Sequence, residues 1–191
     1  EGTVTEITAT GIGAHASTPD VGNNALTGLL VFLGKLDFAS CPQVNMVRKT
    51  ASLFPHGDVN GKTLGVAMED ELSGNLTLSF NMLTVDAASM DGEFDGRIPV
   101  CGNDENVLEV VRARMAEQGL TLLNKALIPP HHVSADSYFV KTLLAAFELY
   151  TGRKGECQAL GGGTYVHHLE NGVAFGAAMP ETDNKMHGPD E

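Results

Sequence analysis

Leu76-Thr77-Leu78-Ser79-Phe80-Asn81-Met82 is the stretch that decides the fold. Leu76, Leu78, Phe80 and Met82 alternate with Thr77, Ser79 and Asn81, the two-residue period of a strand with one face buried. Working outward, Ser73-Gly74-Asn75 reads as a hairpin turn back to an earlier strand carrying Leu64, Val66 and Met68. Phe94 to Pro99 reads as a further short strand. Upstream, residues 3–9 form a weak strand candidate around Val4 and Ile7, and 11–22 form a loop rich in Gly, Pro and Asp. Leu26, Leu29, Leu30, Leu33 and Leu36 then make one apolar stripe of a helix over 23–36. Residues 37–62 read as mixed, with Pro42, Pro55, Gly57 and Gly61 as breakers.

Downstream, Asn103 or Asp104 can cap a helix to about Gln118, with Val107, Leu108, Val110, Val111 and Met115 on its apolar side and Gly119 as its stop. Residues 120–128 read as a strand ended by Pro129-Pro130. The order strand, helix, strand, strand, helix, strand predicts an α/β chain of the α+β kind, an antiparallel sheet with helices on one face in the split ferredoxin-like pattern. After Pro130 the character changes. Ser134 or Asp136 opens a helix to about Tyr150 with Phe139, Val140, Leu143, Leu144 and Phe147 apolar, Gly152 stops it, and Val173-Ala174-Phe175-Gly176 reads as a strand. A domain boundary is expected near residue 130, dividing the chain into 1–130 and 131–191.

At 191 residues the chain has room for one domain, or for a small domain and part of another. A net charge of −12 argues against nucleic acid, because phosphate binding needs clustered Lys and Arg. No apolar run is long enough to span a membrane, and the opening Glu-Gly-Thr-Val-Thr-Glu has no signal-peptide pattern. Cys41, Cys101 and Cys157 are odd in number and widely spaced, a poor disulfide framework and a poor zinc finger, so a reducing cytoplasm is the simplest expected compartment.

Several side chains could carry chemistry. His15 sits in Gly-Ala-His-Ala-Ser-Thr-Pro-Asp-Val-Gly-Asn-Asn-Ala, an exposed loop between a strand and a helix; taken alone, it is a surface histidine bonded to its own loop. Arg97 in Asp95-Gly96-Arg97-Ile98-Pro99 is, taken alone, a solvated charge at a strand end. Gly161-Gly162-Gly163-Thr164-Tyr165 is either a flexible turn or a backbone cradle, since three glycines let the chain pass close to a ligand and offer it N–H groups. The chain closes on Met-His187-Gly-Pro-Asp-Glu191.

Together, the His15 loop, the Gly-Gly-Thr-Tyr turn and the His187 loop resemble the dinuclear zinc exopeptidases related to peptidase V, carnosinase and succinyl-diaminopimelate desuccinylase. The resemblance implies that residues 1–130 are most of a ferredoxin-like lid domain, incomplete at its start. Residues 131–191 would be a truncated C-terminal piece of the α/β catalytic domain. It implies that His15 steadies the oxyanion of the tetrahedral intermediate, that Arg97 grips a substrate carboxylate with its planar fork, that Gly162, Gly163 and Thr164 line the substrate site, and that His187 is a zinc ligand. Ile98 stands where the family has an aromatic residue, and Val166-His167 where it has Ala-Arg. His56-Gly57-Asp58 matches the family's first zinc motif but stands in a turn, and after the His15 loop rather than before it, so it reads as a solvated loop. His131, His132, His167 and His168 read as structural or exposed.

The implied parent is a zinc metallo-dipeptidase of the peptidase V type, in which a zinc-bound water activated by a glutamate attacks the peptide carbonyl. The segment from Phe54 to Glu71 favours that type over shorter-lidded deacylases. One alternative is a deacylase or desuccinylase of the same metal class. Another is a non-catalytic lid or oligomerisation module. Catalytic zinc needs about three protein ligands and a water, and this chain offers one. The isolated chain is therefore expected to bind zinc weakly and to hydrolyse no dipeptide. Its expected partners are a dipeptide or small amide, the rest of the catalytic domain and a second copy in a homodimer.

Overall fold

The structure is a computed structural model that describes residues 4–176 and 179. It is mixed helix and small antiparallel sheets, an α+β arrangement. Its centre is the hairpin of β3 (Thr77–Val85) and β4 (Met90–Arg97), with Thr77 opposite Arg97 and Phe80 opposite Phe94. Leu76, Leu78 and Phe80 are buried as the alternation requires. Met82 is 59% exposed. A bulge between Phe80 and Met82 inserts Asn81 and turns the remaining residues over, so Leu83 takes the half-buried place. The strand expected from Phe94 is the second half of β4. Its first half, Met-Asp-Gly-Glu, has too few apolar residues to show a period.

Helix α1 (Ala25–Gly34) starts where Asn24 accepts the Thr27 N–H at 3.0 Å, which satisfies one of the unpaired donors of the first turn. It buries Leu30 and Thr27. Helix α2 (Pro42–Leu53) replaces part of the mixed segment. Pro42 is no breaker there: it sits in the first turn, where the missing N–H costs nothing. Thr50 hid the stripe. Its hydroxyl donates to the Met46 carbonyl at 3.0 Å, so a polar residue can occupy the buried face beside Val47, Leu53 and Phe54. Phe54 stacks on Phe80 with centroids 4.5 Å apart.

Among the described residues four expected strands are absent. Residues 4–10 pair with nothing in a sheet. Leu64 and Val66 are buried from turns instead, Gly65 N–H donating to Lys62 O and Val66 N–H to Gly61 O. Here only β1 (Glu69–Asp70) joins a ladder, with β2 (Gly74–Asn75), so the turn between them is residues 71–73. Residues 120–128 are held by side chains rather than a ladder: Arg112 donates to the carbonyls of Leu122 and Asn124, and Asp104 accepts the Leu127 N–H. Buried Leu122 draws that segment in, while Leu123 stays exposed. The four-stranded ferredoxin-like sheet is thus not formed among the described residues. Residues 173–176 also carry no sheet pairing.

The helix before them is a π turn (Asp104–Leu108) running into α3 (Glu109–Glu117), capped at Asn103. The apolar core is drawn from residues between Leu30 and Leu122. Beyond it, α4 (Tyr138–Thr151) is capped by Ser137 and closed at Gly152, whose φ of 67° suits glycine. Val140 is its buried residue, and Tyr138, Leu149 and Tyr150 are exposed.

Asp70 staples the turn. Its carboxylate accepts the N–H groups of Ser73, Leu72 and Cys101 and the Ser73 hydroxyl. The Ser73 backbone bond is the largest cause, and the pKa falls from 3.8 to about 2. A depressed carboxylate stabilises the fold above the unfolded value, and that stability is lost as pH falls from 3.8 toward about 2. Asp70→Asn is expected to lower the urea midpoint at neutral pH and to flatten this part of the acid limb. Equal midpoints for the two proteins at neutral pH would contradict it.

Candidate functional site

The His15 loop is pinched at its base. Ile12 and Asn23 exchange backbone hydrogen bonds of 3.0 and 2.8 Å. Gly22 allows the arms to touch, because a Cβ there would come 2.7 Å from the Ala14 side chain. Within the loop, Thr18 N–H donates to His15 O, and Pro19–Val21 makes one 3-10 turn. Strand β3 seats the loop at two points: Thr77 Oγ1 donates to Ala16 O at 2.8 Å, and Asn24 Nδ2 donates to Phe80 O at 2.8 Å. His15 is half-buried, with Nδ1 2.7 Å from Ser17 Oγ and accepting the Ser17 N–H at 3.2 Å.

Arg97 stands at the end of β4, opposite the same Thr77 that holds the loop. Its Nη2 donates to Asp95 Oδ2 at 2.8 Å. Nε lies 2.8 Å from Oδ1 as an ion contact but out of line for a hydrogen bond. One edge of the guanidinium therefore already faces a carboxylate. A second carboxylate would have to dock end-on across Nη1 and Nη2, a constraint the sequence alone did not reveal.

The glycine turn completes the cluster. Gly161 packs on Ser17 so closely that a Cβ would lie 2.6 Å from the serine Cβ, and one on Gly162 would lie 3.6 Å from Arg97 Nη1. Three segments far apart in sequence, the His15 loop, Arg97 and Gly161-Gly162, thus come together. Gly163 and Thr164 are exposed, and Gly163 has nothing near its Cβ position. Thr164 precedes the 3-10 turn Tyr165–His168. His187 lies outside the described residues.

Three other histidines bond to distant parts of the chain. His131 Nε2 is 2.7 Å from Gly172 O, and His167 Nε2 is 3.0 Å from Pro129 O. His56 Nδ1 is 2.9 Å from Thr27 Oγ1. Burial pushes the Asp58 carboxyl up, but the N–H groups of Thr63 and Lys62 outweigh it and hold it below the usual carboxylate value. His56 and Asp58 thus tie a turn to α1 and to residues 62–63. Among the described residues no group of three or more His, Cys, Asp or Glu is arranged to hold a metal ion. Among them, too, no helix is long and apolar enough to cross a membrane.

No protein-family profile matches the chain. Several curated relatives carry dipeptidase names. The chain is 33% identical to the Beta-Ala-Xaa dipeptidase of Lactobacillus delbrueckii subsp. lactis, over 97% of the chain and 39% of the relative. It is 37% identical to the putative dipeptidase YtjP of Bacillus subtilis (strain 168), over 95% of the chain and 38% of the relative. A putative dipeptidase of Staphylococcus epidermidis is 29% identical over 97% of the chain. The chain spans about 39% of the length of the curated relatives it matches.

Proposed function

We propose that the chain is part of a metallo-dipeptidase, supplying its lid over residues 1–130 and a piece of its catalytic domain over 131–191. The observation that carries the reading is the meeting of His15, Arg97 and Gly161-Gly162 in one cluster. Similarity to dipeptidases over nearly the whole chain supports it. The exposed Tyr138, Leu149 and Tyr150 of α4 are consistent with a helix covered by further protein.

In this reading a dipeptide lies along the glycine turn, its free C-terminal carboxylate end-on to Arg97 and its scissile carbonyl toward His15. The backbone of Gly162, Gly163 and Thr164 faces the ligand. His15 donates to the oxygen that gains charge as the carbonyl becomes tetrahedral, and such a donor acts more in the transition state than in the ground state. Zinc is the metal of the proposal. The described side chains do not compose a site for it, so no step here is routed through the metal. His187 remains the candidate ligand of this chain. The enzyme is placed in the cytoplasm, and a homodimer is the assembly proposed for it.

Substrate trimming tests the reading. Arg97→Lys in the full-length enzyme keeps the charge and loses the planar geometry, so it is expected to raise KM for dipeptides roughly ten-fold. Dipeptides amidated at the C-terminus offer no carboxylate and should lose much less. An equal loss on both would mean that Arg97, with Asp95, only supports the end of β4.

A further inference from the structure

We infer that Ser17 is the positioning residue of His15, holding its ring in the tautomer whose proton sits on Nε2. This rests on the reading of His15 as the oxyanion donor. The geometry that points to it is local. The Ser17 backbone N–H is directed at His15 Nδ1 at 3.2 Å, and an N–H can only be accepted by a ring nitrogen with its lone pair in place. The Ser17 hydroxyl lies 2.7 Å from the same atom and, as a donor, satisfies it further. A proton on Nδ1 would face the Ser17 N–H. Neutral imidazole carries one proton, so it is left on Nε2, and the bond made by one ring nitrogen sets the role of the other.

The arrangement is braced on both sides. The carbonyl of Ala16, between the two residues, accepts from Thr77 on β3. Gly161 lies so close to the Ser17 Cβ that the glycine turn packs directly on the serine. Ser17 therefore couples the proposed oxyanion donor to the proposed substrate cradle. It touches no reacting atom, and its effect on the reaction runs through the imidazole.

The test is spectroscopic first. In the 191-residue chain labelled with nitrogen-15, long-range proton–nitrogen correlations at alkaline pH are expected to show His15 Nδ1 unprotonated and Nε2 protonated. The opposite tautomer, or the averaged shifts of an unordered imidazole, would overturn the inference. Ser17→Ala keeps the N–H and loses the hydroxyl. It is expected to mix the tautomers and, in the full-length enzyme, to lower kcat roughly ten-fold with KM little changed. An unchanged spectrum and an unchanged kcat would both count against Ser17. Full kcat in His15→Ala, beside an Nε2–H spectrum in the parent chain, would sink the oxyanion reading and leave the tautomer assignment standing.

Discussion

Replacing His15 with alanine in the full-length enzyme is expected to lower kcat by ~10²–10³-fold while changing KM far less. The physical reason is differential binding. The carbonyl oxygen of a bound dipeptide needs little from a hydrogen-bond donor, and the tetrahedral oxyanion needs much more. The His15 ring is fixed before any substrate arrives, by Ser17 on its Nδ1 side and by the anchoring of Ala16 to Thr77. A preorganised donor pays no reorganisation at the moment of reaction, which is why its loss falls on kcat. Steady-state kinetics on a dipeptide decides the matter. A pure KM effect would assign His15 to ground-state binding, and no effect would remove it from the site.

The largest expected effect on stability is at Phe80. This side chain is 4% exposed, stacks on Phe54, and sits where β3 crosses the core. Phe80→Ala removes a ring and leaves a cavity that backbone pairing with Phe94 prevents from closing. A loss of ~3–5 kcal/mol is expected, from transfer and cavity contributions together. Met82→Ala, two residues along the same strand but 59% exposed, should cost less than about 0.5 kcal/mol. Urea denaturation of the two variants checks both numbers. Equal losses would mean that the bulge after Phe80 is misplaced and that Met82 faces the core, as simple alternation predicts.

That contrast also shows what the sequence could reveal. Leu76, Leu78 and Phe80 announced their strand because one face is apolar and the other wet. The helices at α1, α3 and α4 were legible for a similar reason, and the caps at Asn24, Asn103 and Ser137 mark where they begin. Helix α2 was not, because Thr50 is buried with its hydroxyl turned back on the helix and Pro42, in its first turn, carries the pattern of a breaker. The alternation of Leu64, Val66 and Met68 suggested a strand, yet turns bury Leu64 and Val66 just as well. Residues 120–128 have strand composition but are held by Arg112 and Asp104, partners that no local pattern encodes.

The site residues were legible as motifs, while their relation was not. Nothing in the spacing of residues 15, 97 and 162 says that they meet. It takes the register Thr77 opposite Arg97, and the bond from Thr77 to Ala16, to bring a loop near the start of the chain beside a strand end. The pairing of Arg97 with Asp95 was equally hidden, although the two stand only two residues apart in the sequence. On one strand, residues two apart share a face, and here that spacing turns one edge of the guanidinium toward a carboxylate. Gly162 lies beside Nη1 of the end left for a bound carboxylate, where a Cβ on it would be 3.6 Å from that atom. In the proposed reading the substrate is a short molecule whose free carboxylate lies near the bond to be cut.

Substrate selection by the full-length enzyme tests the proposed dipeptidase activity most directly. Turnover of free dipeptides is to be compared with turnover of N-acyl amino acids bearing the same C-terminal residue, under identical metal conditions. Both classes offer the carboxylate to Arg97, so only the group on the other side of the scissile bond differs. The expected result is a kcat/KM for dipeptides at least roughly ten-fold above that for the acyl compounds. Turnover of the N-acyl amino acids with none of the dipeptides, or of neither class, would contradict it.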